Sequence, residues 1–207
     1  VNGARPAAAP GQLVLGVIGA GNYASAMLLP HFKSHSGVTL KAVATSSGVT
    51  ARKVAERVGF ATAASDPQEI LNDREINAVL IGTRHHLHAP LVIAALKAGK
   101  AVFVEKPLVM NRAELAEVAA VMKETGGRVH VGFNRRFAPT AVAARDFVKA
   151  APNQTMLYRV NAGPLPKGHW LRDPVQGGGR LIGEGCHFID FLQFLCAAKP
   201  VRVHARG

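Results

Sequence analysis

Apolar residues in the first two thirds of the chain come in short, near-continuous runs, separated by longer stretches in which they recur every three to four positions. The runs are LVLGVI, VTLKAVAT, NAVLI, AVFV and RVHVG. They predict strands over 12–18, 38–45, 77–81, 101–104 and 128–132. The stretches between them predict helices from 25 to about 35, then over 50–58, 67–71, 86–98, 111–123 and 136–149. Asp66 is placed to cap the third helix, with Pro67 at its first position. Strands that are apolar throughout, alternating with helices, indicate an α/β protein with a doubly wound parallel sheet covered on both faces. The pattern changes after 152. QTMLYRVN at 154–161 predicts a strand exposed on one face, a Gly/Pro-rich loop follows over 163–179, a helix lies within 181–196, and VRVHA predicts a strand over 201–205. This is the opening of an α+β domain with an open sheet. One helix and two strands scarcely make a stable sheet domain, so the second domain is expected to be partial.

The turn after the first run carries the strongest local signal. Gly19-Ala20-Gly21-Asn22-Tyr23-Ala24 follows a buried strand and opens a helix. In such a turn Gly19 permits the bend, Gly21 lets the backbone approach a pyrophosphate, and Ala24 lets the helix pack on the strand, with Asn22 and Tyr23 beside the anion. The helix start adds unpaired N–H groups and a partial positive charge. The reading is a dinucleotide cradle; the alternative is a plain glycine turn in another α/β domain. It divides the chain into a linker or tag remnant over 1–11, a dinucleotide-binding Rossmann domain over 12–133 and the beginning of a substrate or oligomerisation domain over 134–207. A chain that starts with Val is expected to be a piece of something larger.

Charge narrows the partners. The formal net charge is +12, but the basic residues are scattered, without long runs or interleaved aromatics, which argues against nucleic acid. No Asp or Glu precedes Glu56, so the cradle sits in a positive field suited to an anionic cofactor. No apolar run approaches the roughly 20 residues of a membrane span, and no signal peptide is visible at the start. Two cysteines make no disulfide framework and fit the cytoplasm.

Four further clusters carry candidate chemistry. Roughly 20 residues beyond the glycines, where an NAD site usually places an acid for the ribose 2′-hydroxyl, stand Ser46 and Ser47, with Arg52 and Lys53 beyond. Hydroxyls and cations suit a 2′-phosphate, which favours NADP over NAD. After the third run come Thr83, Arg84, His85, His86 and His88. Thr83, Arg84 and His88 are expected to line the cofactor rather than bind metal, since no carboxylate or cysteine accompanies the histidines; for His88, at the helix start, the other reading is local packing or a local hydrogen bond. Glu105-Lys106-Pro107 follows AVFV directly. A lysine beside a carboxylate, at the strand end where open sheets bind ligands, fits a proton-transfer group; the alternative is a surface turn. In GGGRLIGEGCHFID at 177–190, Glu184 and Asp190 flank His187 at helical spacing, an arrangement that can exchange a proton at neutral pH or merely satisfy a histidine in a helix interface.

Taken in order and spacing, GAGNYA, the loop ending at His88, EKP at 105–107, GFNRRF at 132–137 and GGGRLIGEGCHFID resemble the Gfo/Idh/MocA oxidoreductase family. The resemblance covers nearly the whole chain. It implies a Rossmann domain followed by a domain with a large open sheet, and NAD(P)-dependent oxidation of an alcohol carbon on a sugar, polyol or related metabolite. It carries the family's lysine onto Lys106 and its histidine onto His187. Many members place an aspartate four residues before that histidine, where this chain has Gly183; Glu184 is the expected substitute. GEGCHFIDFLQFL is also similar to members fused behind a zinc-type alcohol dehydrogenase module. Glu105 joins the expected cofactor contacts, and Asn134, Arg135, His169, Trp170, Arg172 and Asp190 are the expected substrate contacts. A homo-oligomer through the second-domain sheet is expected of the full-length protein. Within catalysis the rival is redox-neutral glycoside cleavage with bound NAD; outside it, a non-catalytic dinucleotide sensor.

Overall fold

A computed structural model describes residues 11–151 and 153–206. The linker expected over 1–11 lies, Gly11 excepted, outside the described residues. The chain divides into two units, one ending at Gly132 and the other beginning at Phe133.

The first unit is a six-stranded parallel sheet: β1 (Leu13–Ile18), β2 (Val38–Ala44), β3 (Thr62–Ala64), β4 (Ala78–Ile81), β5 (Ala101–Val104) and β6 (Val129–Val131). Their order across the sheet is β3-β2-β1-β4-β5-β6. The helices between them are α1 (Leu29–Ser34), α2 (Gly48–Val58), α3 (Pro67–Asn72), α4 (His88–Lys97) and α5 (Arg112–Thr125). Side chains alternate across a strand, and both faces here are apolar. Leu15 and Val17 of β1 and Leu80 of β4 pack with Leu29, Val54 and Val58 from α1 and α2. Ile18, Val79 and Ile81 point the other way, into a cluster with Ile70, Val92, Leu96, Val118 and Val121 from α3, α4 and α5. Burial on both faces is why these strands lack polar alternation.

Helix ends follow the local chemistry. Asp66 and Glu69 form a reciprocal capping box around Pro67. Asn111 accepts from the Glu114 amide at the start of α5, and Gly59 and Gly126 end α2 and α5 in left-handed conformation.

Three differences from the sequence pattern have physical causes. The strand β3 was not expected: it has three residues, only Ala64 buried, too few for a period to show. The first helix contains a π-turn, Ala24–Leu28, before α1, and Leu181–Gly185 is a second; the i→i+5 bonding of a π-turn has no residue signature. The strands expected over 154–161 and 201–205 do not occur, and among the described residues no strand follows Gly132. Strands exist as paired ladders, and neither segment pairs with another strand among the described residues.

The second unit is helical. A 3₁₀ turn, Asn134–Phe137, leads into α6 (Pro139–Val148), and the Leu181–Gly185 turn leads into α7 (Cys186–Cys196). The two helices pack on one another and α7 packs on the 3₁₀ turn. Among the described residues, no helix is long and apolar enough to cross a membrane.

Candidate functional site

Register builds the site in the first unit. Ile18 pairs with Ala44 and with Ile81, Ile81 with Val104, and Val104 with Val131. The next residue of each strand therefore falls into one row along the carboxyl edge: Thr45, Gly19, Gly82, Glu105 and Gly132. Hydrogen bonds continue the ladders into this row. The amides of Gly19, Gly82, Glu105 and Gly132 donate to Ala44, Ile18, Ile81 and Val104 at 2.8–2.9 Å. The strand order reverses between β1 and β4, and in open α/β sheets the ligand crevice opens at that switch point.

Gly19 has φ +85°, and a Cβ there would stand 2.7 Å from the Gly82 carbonyl and from Thr83 Cγ2. It is needed both for the turn and for the approach of the two loops. Gly21 differs: a Cβ there meets nothing within 4 Å, so its space opens outward. The Ser25 amide donates to Gly21 O and the Ser25 hydroxyl to Ala20 O, both at 2.9 Å, which folds the loop into the helix start. Asn22 and Tyr23 are exposed beside it, and Ala24 is buried. A glycine turn at a helix start, with open space at Gly21, fits the diphosphate of a dinucleotide.

At the tip of β2, Ser46, Ser47 and Arg52 are all exposed. Ser47 is the N-cap of α2 yet makes no side-chain bond to it, leaving its hydroxyl available to a ligand. Thr83 and Arg84 lie on the loop after β4, half-buried and exposed. His88, expected among the cofactor contacts, does not belong with them. It is fully buried, with Nδ1 2.7 Å from Pro107 O and Nε2 3.2 Å from Thr83 O.

Glu105 and Lys106 are half-buried at the end of β5, and the Lys106–Pro107 peptide is cis. Beyond it, Leu108 and Val109 pack against the core. Glu105 Oε1 is buried without a hydrogen-bond partner among the described residues. Burial pushes its carboxyl above the usual range, and the charge of Lys106 pulls it partly back.

In the second unit, His187, Glu184 and Arg135 line one open pocket of about 320 Å³, with Tyr158, Asn161 and Phe188. Arg135 donates to the Tyr158 hydroxyl at 2.6 Å and lies over the Phe188 ring. The Phe133 ring meets His187 edge-on at 6.1 Å. Both acids expected to serve His187 are held by arginines. Arg180 donates to Glu184 Oε2 at 2.6 Å. Arg136 grips both oxygens of Asp190, with Nε 3.1 Å from Oδ2. Asp190 is therefore a buried anchor for the 3₁₀ turn on α7 rather than a substrate contact. Asn134 is exposed on that turn. Arg172 lines a different pocket, beside Arg180, and its guanidinium donates to Leu165 O. His169 and Trp170 stack on each other and line neither pocket. Missed by the sequence reading were Gly82 and Gly132, whose signal was a glycine directly after a buried strand, and Arg180, readable as i,i+4 to Glu184. Arg136, 54 residues from Asp190, left no local signal.

Residues 13–133 match the model of the Gfo/Idh/MocA family, described as an oxidoreductase family with an NAD-binding Rossmann fold. The chain belongs to the Gfo/Idh/MocA oxidoreductase family. Relatives of this family member include scyllo-inositol 2-dehydrogenase (NAD(+)) of Bacillus subtilis, 31% identical over 160 residues, covering 76% of this chain and 46% of the relative. Among solved structures, an oxidoreductase domain protein from Kribbella flavida superposes with a TM-score of 0.79 at 28% identity, covering 90% of this chain and 53% of that one. Levoglucosan dehydrogenase in complex with NADH and levoglucosan gives 0.75 at 30% identity, covering 89% and 54%. The chain spans about half the length of the curated relatives it matches.

Proposed function

We propose that this Gfo/Idh/MocA protein is an NAD(P)-dependent oxidoreductase that moves hydride between a nicotinamide and an alcohol carbon of a sugar, polyol or related metabolite. The observation that carries the reading is the row at the sheet edge: an open glycine cradle at the switch point after β1, and Glu105-Lys106 at the end of β5 on the same edge. Gly19, Gly21, Asn22 and Tyr23 would hold the diphosphate, Ser46, Ser47 and Arg52 the adenosine ribose, and Thr83, Arg84 and Glu105 the remainder. When bound, the nicotinamide supplies the hydride acceptor in oxidation and the donor in reduction.

The chain's own part is the proton. As hydride leaves the carbon, the hydroxyl proton must go to a base. Lys106 Nζ takes it in this reading, and His187 is the proton-transfer group of the second unit. Glu184, bound to Arg180, sets the charge around His187 rather than relaying its proton. Exposed hydroxyls and a cation at the β2 tip favour NADP over NAD. Inositol and levoglucosan dehydrogenases among the relatives support a polyol or sugar as substrate.

The test is a substrate screen on the full-length polypeptide, by absorbance of the reduced nicotinamide, with Lys106→Ala alongside. The variant should lose on the order of 10²–10⁴ in kcat with cofactor affinity nearly intact. Full activity in Lys106→Ala across the pH range would remove the mechanism. Cofactor binding without any turnover would favour a sensor, and product formation without net change in nicotinamide would favour redox-neutral cleavage.

A further inference from the structure

The turns after β4 and β5 are separate pieces of chain, yet one side chain lies against both. His88 is the first residue of α4 and is fully buried. Its Nδ1 lies 2.7 Å from Pro107 O and its Nε2 3.2 Å from Thr83 O. Both neighbours are acceptors, and a neutral imidazole has a single N–H to give. The shorter contact identifies the donor: Nδ1–H donates to Pro107 O, and the Nε2 lone pair faces Thr83 O. An imidazolium would satisfy both oxygens, and those two contacts favour it, but burial opposes the charge more strongly, with smaller contributions from Lys106 and His86, and the net effect is to lower the pKa. The ring is therefore held neutral, in one tautomer.

The consequence falls on Lys106, which sits between two fixed points. On its N-terminal side the Glu105 amide is bonded into the ladder, 2.9 Å from Ile81 O. On its C-terminal side the proline ring fixes φ of Pro107, and the Pro107 carbonyl is bonded to His88. With both neighbours pinned, the Lys106 backbone has little freedom left. A leucine would fill the same buried volume but leave two carbonyls without that contact. Burying an imidazole instead is costly unless it is bonded, and bonding is what it does here.

We propose that His88 is a positioning residue for Lys106: its Nδ1–H bond to the Pro107 carbonyl sets the turn that carries the lysine. The inference rests on Lys106 being the proton-transfer group. A misplacement of about 1 Å at a reacting group can cost on the order of 10²-fold in rate.

The test has a spectroscopic arm and a kinetic arm. Long-range ¹⁵N–¹H correlation on this chain should show His88 neutral at pH 7 with its proton on Nδ1; a proton on Nε2, or a charged ring, overturns the proposal whatever the variants do. In the full-length protein, His88→Leu should lower kcat by about 10–100-fold while the substrate KM moves by less than about threefold. His88→Asn, whose side-chain amide can donate to Pro107 O, should recover most of the loss. In a Lys106→Ala background His88→Leu should add nothing, because groups acting as one unit are non-additive. Normal turnover in His88→Leu, with Lys106→Ala inactive, overturns the positioning role alone. Full activity in Lys106→Ala overturns the role of the lysine, and with it what His88 positions. If His88→Leu does not fold, a His88→Asn variant that folds but lacks activity overturns the proposal, and the tautomer decides independently.

Discussion

The carboxylate of Glu105 occupies the space that a side chain at residue 132 would need: a Cβ on Gly132 would stand 2.7 Å from Glu105 Oε1. The glycine that follows β6 is thus part of the site without touching any ligand. It makes room for a buried acid beside Lys106.

Replacing Gly132 by alanine should therefore cost about 1–3 kcal/mol, the usual range for overpacking, by forcing the carboxylate aside. Of the three atoms nearest to such a Cβ, two belong to the Glu105 carboxylate and the third is Phe103 Cε1 at 3.4 Å, an ordinary contact, so in a Glu105→Ala background the cost should fall. Urea denaturation of the two single variants and the double variant measures this coupling. Equal costs in both backgrounds would show that the clash lies elsewhere.

Stability should depend on pH in two opposite ways at this edge. The carboxyl of Glu105 is raised above its usual 4.5, so the folded chain holds that proton more tightly than the unfolded one. Stability from this group falls as pH rises above 4.5 through the folded value. The imidazole of His88 is lowered below 6.5, so its contribution is present above 6.5 and is lost as pH falls toward the folded value. Thermal melts of this chain between about pH 5 and 8 should show Glu105→Gln stabilised at the alkaline end, and His88→Asn with a flatter acid side. Slopes unchanged in both variants would refute the assignments.

The two glycines of the cradle should fail differently. Gly19→Ala is strained by its positive φ and clashes with Gly82, so it should lower stability by about 1–3 kcal/mol and weaken dinucleotide binding. Gly21→Val enters open space, so it should leave the melting temperature nearly unchanged and abolish binding. Calorimetry that finds wild-type affinity in Gly21→Val would sink the cradle assignment.

Ser46→Asp should move cofactor preference from NADP toward NAD, because a carboxylate at the β2 tip repels a 2′-phosphate. If the unaltered protein binds NAD at least tenfold more tightly than NADP, about 1.4 kcal/mol, the reading of this tip is wrong.

In the second unit, Asp190→Asn should destabilise α6 and α7 by leaving Arg136 without its ion pair. Arg136 is 36% exposed, so solvent screens it and the expected cost is about 1–2 kcal/mol, below that of a fully buried pair. Replacing both residues by apolar ones of similar size should be nearly neutral. Chemical denaturation followed by circular dichroism measures both.

By itself the sequence determined the sheet, the cradle and the place of the lysine. Strands buried on both faces must be apolar throughout, helices between them must carry one apolar stripe, and a glycine turn between strand and helix has few other uses. Those are local constraints, written in consecutive residues. Tertiary structure alone decided what depends on register and on distant partners. The row of Thr45, Gly19, Gly82, Glu105 and Gly132 exists because four strand pairings bring these residues level, and no window of sequence contains it. Asp190 and Glu184 looked like partners of His187 because helical spacing is visible. Arg180, at i,i+4 from Glu184, was within reach of the same spacing argument, but Arg136, 54 residues from Asp190, became evident only in the folded chain. The strands expected over 154–161 and 201–205 failed for the same reason: a strand's pattern is local, but its hydrogen bonds belong to a neighbour. His88 carries the lesson furthest. In the sequence it is one of three histidines near a helix start; in the fold, burial and the Pro107 carbonyl, 19 residues away, give it its partner and its work.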